Sequence, residues 1–317
     1  MKKVWKISLL ASLWLAMSQP KVGAQPSENK VTSADTYVAY LAAYMKGSDE
    51  HSLYYAISDD GFKFKELNHG VPILSASYDD QLIRDPHLLR TPNNGFLLVA
   101  TVSWSHRPFT LWESADLVTW VGERLVDIAP EGATKTWAPE LIYDDQRQEY
   151  MAYWTAEIGD DWNTASIYCS TTPDLINWSP SRILFQMPNS GILDANITKM
   201  DDRYVMLFRH QSQIHLATAN QAVGPYSYQG MVNDENVEGP FVFPLIDGSG
   251  WGYVFDYFGE SAGFGFLTTK DLKSWTRLTN PAYPYYNSLV EFPPGIRHGS
   301  IIGITQSELD RLHNAFP

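Results

Sequence analysis

Five times along the chain, a polar residue stands at the head of a short apolar run, and no other feature constrains the fold as much. Asp85-Pro86 leads into His87-Leu88-Leu89, and Trp137-Ala138-Pro139-Glu140 into Leu141-Ile142-Tyr143. Leu193-Asp194-Ala195 precedes Asn196-Ile197, Val237-Glu238-Gly239-Pro240 precedes Phe241, and Arg297-His298-Gly299-Ser300 precedes Ile301-Ile302. From Asp85 the steps to Glu140, Asp194, Glu238 and His298 are 55, 54, 44 and 60 residues. A repeat of that length implies a toroid whose units each aim one polar side chain at a shared centre. Each residue alone has a bland reading as a turn or capping group. Four carboxylates and a histidine at one phase repel one another unless a pocket uses them.

A second motif runs alongside the first: a strand, a small hydroxyl residue, an Asp-Leu turn and an aromatic. It reads Ser114, Asp116-Leu117, Trp120; then Ser170, Asp174-Leu175, Trp178; then Thr269, Asp271-Leu272, Trp275. A degenerate copy joins residues 215–218 to Gly224-Pro225-Tyr226, and Ser58-Asp59-Asp60-Gly61 is a further turn of this kind. Between the two motifs lie apolar strands at 96–101, 150–154, 204–208 and 253–257. Each unit is therefore four strands, and four units span 85–278. The fifth is split, with its leading strand at 298–305 and its outer strands at 36–67. Pairing the two chain ends closes the ring and removes an open edge. The fold class is all-β, a five-bladed β-propeller over residues 36–317, with a short helix after Thr305.

Aromatics make up 14% of the chain, with 11 Trp and 18 Tyr. Flat rings pack well across strands, and they also stack on the apolar faces of sugars. Lys2, Lys3 and Lys6, an apolar run at 7–17 and Val22-Gly23-Ala24 read as a signal peptide over 1–24, followed by a polar leader at 25–35. The expected destination is the periplasm or the exterior. Residues 1–24 carry four Lys and no acid, so their removal takes the net charge from −13 to −17. A chain this acidic excludes nucleic acid and an anionic membrane as partners and favours a neutral glycan. Cys169 is the single cysteine, so an intrachain disulfide and a cysteine metal site are both excluded.

Several carboxylates in an aromatic-rich pocket point to glycoside hydrolysis, where one carboxyl group gives a proton and another takes one from water. Crowding and burial raise one pKa while cations keep another low; Arg84 and Arg209 are candidate cations. The order Asp-Pro, Trp-Ala-Pro, Asp-Ala, Glu-Gly-Pro and Arg-His-Gly-Ser resembles glycoside hydrolase family 43, over roughly residues 36–305. The resemblance implies inversion of configuration, typically on α-L-arabinofuranosides or β-D-xylosides. It implies Asp85 as general base, Glu238 as general acid, and Asp194 as the residue that tunes and orients the acid. Trp104, Trp137, Glu140, Arg209 and His298 are the expected substrate contacts, with Glu140 as a departure from the family pattern. No cofactor is required; His298 resembles the channel histidine that holds a calcium ion in some members. The expected activity is exo-acting α-L-arabinofuranosidase, with β-D-xylosidase or β-galactosidase as same-family alternatives. A non-catalytic glycan-binding propeller is the alternative from another class.

Overall fold

The structure is a computed structural model that describes residues 36–77, 81–200, 202–258, 263–279 and 289–317. The signal peptide and polar leader read from the sequence lie outside these residues. In chain order the strands are β1 (Ala39–Lys46), β2 (Asp49–Ser58), β3 (Lys65–Glu66), β4 (Leu74–Ser75), β5 (Arg84–Arg90), β6 (Phe96–Thr101), β7 (Phe109–Ser114) and β8 (Val121–Val126). They continue as β9 (Ala133–Asp144), β10 (Glu149–Ile158), β11 (Asp161–Thr172), β12 (Arg182–Phe185), β13 (Ile192–Met200), β14 (Arg203–His210), β15 (Gln213–Ala219) and β16 (Ser227–Asn233). The last are β17 (Glu238–Pro244), β18 (Trp251–Tyr257), β19 (Gly263–Thr269), β20 (Trp275–Arg277) and β21 (Ile296–Ile304), followed by helix α1 (Gln306–Ala315).

These strands form five antiparallel sheets: β5–β8, β9–β12, β13–β16, β17–β20, and a closing sheet in the order β21-β1-β2-β3, with β4 also on β2. The ring closes through β21 and β1, where Ala42 pairs with Ile301. The innermost strands β5, β9, β13, β17 and β21 each touch the next around the axis. The middle strands read as unbroken apolar runs because both faces are covered by neighbouring blades; every residue of β6 is buried. Trp112, Trp154, Tyr153, Tyr253, Phe208 and Phe243 fill the gaps between sheets, each worth roughly 1.5–3 kcal/mol in burial. The outer strands are short, exposed and charged, as in β8 with Glu123 and Arg124, which discourages edge pairing.

The Asp-Leu motif is the hinge between third and fourth strands. The Ser114 hydroxyl accepts from the N–H groups of Asp116 and Leu117, and Asp116 Oδ1 accepts from those of Val118 and Thr119. Thr172 and Thr269 build the same turn. Leu117, Leu175 and Leu272 all take positive φ, and Gly61 takes it in the closing blade. The hydroxyl and carboxylate satisfy N–H groups that the sharp turn would otherwise leave unpaired. Helix α1 starts at a capping box formed by Thr305 and Glu308, and Glu308 also pairs with Arg90 on β5 at 2.6 Å, fixing the C-terminus to the first complete blade.

Candidate active site

All five inner strands carry a one-residue bulge at the same height. The register slips between Arg84 and His87, Trp137 and Glu140, Leu193 and Asn196, Glu238 and Phe241, and at His298. The extra residue is Asp85, Ala138, Asp194, Gly239 or His298. Four of these have positive φ: Asp85 50°, Ala138 45°, Asp194 53° and Gly239 53°. For the three with a Cβ, such a conformation costs on the order of 1–3 kcal/mol and persists only where surroundings enforce it. Gly239 has a further reason to lack one: a Cβ there would meet His298 Cγ at 2.9 Å. Bulges re-aim side chains, and here they turn Asp85, Asp194 and His298 inward.

The bulges also correct the spacing read from the sequence. Glu238 stands one place before its bulge and Glu140 two places after. They therefore do not occupy the phase of Asp85 and Asp194. Glu238 rises to line a cavity of about 430 Å³ with Arg84, Asp85, Trp104, Trp137, Asp194, Arg209 and His298. Glu140 does not line it. It lies below, 4% exposed, accepting from the Tyr153 hydroxyl and from Asn196 Nδ2 at 3.0 Å. His87 Nε2 is 3.7 Å away. The expected contact of Glu140 with substrate is thus replaced by a sealed buried network.

Asp85 is held ionised. Burial favours its neutral form, but the charge and hydrogen bond of His298, the nearby Arg84 and the Thr101 hydroxyl outweigh this and hold the carboxyl well below the usual range. His298 Nδ1 lies 3.0 Å from Asp85 Oδ1, and Thr101 donates to Oδ2 at 2.7 Å. Thr101 Oγ1 also accepts from Ala138 N at 2.8 Å, tying Asp85 to the next blade. Burial works against a charged His298, but Asp85, Asp194 and Asp256 raise its pKa to about 10.

Glu238 is the opposite case. Burial, Asp194 and Asp256 raise its pKa to about 7 against the pull of Arg209 and Arg297. Arg297 Nη2 donates to its Oε1 at 2.9 Å, and Arg209 Nη1 is 3.6 Å from Oε2. Asp194 Oδ2 accepts from Gly239 N, beside Glu238, at 3.0 Å; burial raises its own pKa, with His298 opposing. Trp104 and Trp137 meet edge to face at 6.4 Å, the Trp137 indole donates to Trp104 O at 3.1 Å, and Arg84 stacks on Trp104 at 3.6 Å. Trp162, Phe258, Glu50 and Arg297 also line the cavity. Sequence reading did not select these four, nor the buried Asp256. An acid inside the apolar run Tyr253-Val254-Phe255-Asp256-Tyr257 was the available signal for that residue.

A calcium ion held by His298 finds no fitting donor set. Its Nδ1 already faces Asp85 Oδ1 at 3.0 Å. Among the described residues, no three His, Cys, Asp or Glu side chains are grouped to hold a metal.

Residues 35–310 match the glycosyl hydrolase family 43-related family, described as a probable glycosyl hydrolase domain. The chain belongs to this family. It is 24% identical over 185 residues to an α-L-arabinofuranosidase of Bifidobacterium longum subsp. longum, an alignment covering 48% of this chain and 17% of that protein. Among solved structures, an endo-1,4-β-xylanase from Bacteroides thetaiotaomicron shares 16% identity at a TM-score of 0.59, with 76% of this chain and 91% of that one covered. A putative exo-β-1,3-galactanase from Bifidobacterium bifidum shares 12% identity at 0.57, covering 78% and 89%. At these identities the two structures bear on the fold, and both agree with the five-bladed ring.

Proposed function

We propose that this family 43-related glycoside hydrolase is an exported, inverting, exo-acting α-L-arabinofuranosidase. One observation carries the reading: a single cavity holds a carboxyl group kept ionised, Asp85, and another that retains its proton to about pH 7, Glu238. Glu238 gives that proton to the glycosidic oxygen as the bond to the anomeric carbon breaks. Asp85 takes a proton from the water that attacks the opposite face, and the sugar leaves with inverted configuration. Solvent then returns the proton to Glu238 and removes the one on Asp85. Asp194 anchors the backbone at Gly239 and keeps Glu238 protonated through its charge.

The cavity walls support exo action. Lining residues come from every blade, Glu50, Arg84, Trp162, Asp194, Glu238 and Arg297 among them. A cavity that draws its lining from all five blades is the feature on which exo action is proposed. The arabinofuranosidase match supports the choice of sugar.

The test is hydrolysis of unactivated phenyl α-L-arabinofuranoside, β-D-xyloside, β-D-galactoside and β-D-fructofuranoside, whose leaving groups need a proton, each with and without Glu238→Gln. Turnover of the arabinofuranoside that collapses in the variant, with inverted sugar as the first product by proton NMR, is the expected result. Turnover that survives the variant would remove Glu238 as the acid. Glycan binding without turnover would favour the binding propeller. Export is checked separately by N-terminal sequencing of secreted protein, which should begin at Gln25.

A further inference from the structure

We propose that Asp256 is a positioning residue that sets the proton affinity of Glu238 by dividing the charge of Arg297. The inference rests on Glu238 being the acid, but its test does not depend on turnover.

Asp256 lies on β18 directly across the ladder from Glu238 on β17. Its residue is 0% exposed and does not line the cavity, so it cannot touch a substrate. Its Oδ2 accepts from Arg297 Nε at 2.6 Å and from His298 N at 3.2 Å. The same guanidinium reaches Glu238 through Nη2 at 2.9 Å. One arginine therefore joins two carboxylates, one sealed in the blade and one facing the pocket.

A buried carboxylate is costly unless it is paired, and a plain ion pair tying β18 to β21 would satisfy that need. The fork does more. Glu238 faces Arg297 from β21, Arg209 from β14, Asp194 from β13 and Asp256 from β18. Two cations are set against two acids. Without Asp256, Arg297 turns its full charge on Glu238 and favours the ionised form, which cannot donate a proton. With Asp256 behind it, Arg297 holds Glu238 in place without stripping it. Asp256 in turn faces Arg297 and His298 from β21 and Glu238 from β17; burial pushes its own pKa up to about 6 against those two cations, so it carries its charge near neutral pH, where Glu238 titrates.

The experiment is a carboxyl titration by carbon-13 NMR on protein labelled at the glutamate δ-carbon. The Glu238 signal is identified by its loss in Glu238→Gln. Asp256→Asn should lower its midpoint by about one pH unit or more, and Asp256→Glu should restore it. The high-pH limb of kcat/KM should move down with the midpoint, a change that a purely structural ion pair would not produce. A midpoint unmoved or raised in folded Asp256→Asn overturns the proposal. If that variant does not fold, Arg297→Gln decides: removal of the cation should raise the midpoint, and an unchanged value overturns it equally. Absence of glycoside turnover in the wild type would instead count against the proposed function, with the titration still readable.

Discussion

Glu238 is half-buried and Glu140 buried, and in both the loss of water lifts the pKa to about 7. One faces two arginines and a cavity; the other is closed in by Tyr153, Asn196 and His87. The first can exchange its proton with a ligand and the second cannot. A raised carboxyl pKa therefore marks burial, and only access turns it into an acid for catalysis. Three residues of strand, counted from a bulge, separate the two situations.

The comparison breaks most directly by amide substitution. Glu238→Gln should lower kcat by about 10²- to 10⁴-fold, while Glu140→Gln should stay within about twofold of wild type; equal losses would dissolve the distinction. With aryl substrates that leave without protonation, the Glu238→Gln loss should shrink. The pH profile is the next largest effect. Glu238 must be protonated, so kcat/KM should fall about tenfold per unit above pH 7. Asp85, held low, should keep its ionised form below the usual carboxylate range, so the acid limb should lie under pH 4. Glu140→Gln should leave both limbs in place.

Glu140 should appear instead in stability. Its folded pKa of about 7 lies above the model-peptide value. Its contribution is therefore intact below about pH 4.3 and is lost as pH rises through 7. By pH 8.5 the cost is on the order of 3 kcal/mol. Melting curves should show Glu140→Gln matching wild type at pH 4.5 and exceeding it by several degrees at pH 8.5. The smallest effect belongs to the rim. Trp162→Ala, which removes a 40% exposed indole from the cavity wall, should raise KM for an oligosaccharide by about threefold to tenfold and leave an aryl glycoside almost unchanged.

The blades were legible because their signals are local. Ser114-Ala115-Asp116-Leu117 encodes its turn within four residues, and the unbroken run of β6 encodes a strand covered on both faces. The split closing blade was legible from the leftover pieces at the two ends. The grouping of side chains was legible in part: Asp85, Asp194, Glu238, His298, Arg209, Trp104 and Trp137 line one cavity. Glu140 was misplaced because the bulge shifts which residue faces up, and spacing along the chain does not record height along the axis. Asp256 was missed because it lies on a second strand, where the sequence reads as plain core and the partner arginine is 41 residues away.

Ring closure carries a consequence for the order of events in folding. Arg297 and His298, which hold Glu238 and Asp85, sit on the last strand of the chain and pair with the first. Four blades can assemble from neighbouring segments, but the fifth must wait for β21 to pair with β1, and such long-range closure is slow. Without β21 the pocket lacks Arg297 and His298, the partners of Glu238 and Asp85. On the proposed roles of Asp85 and Glu238, the closure that joins β21 to β1 is also the step that assembles the site.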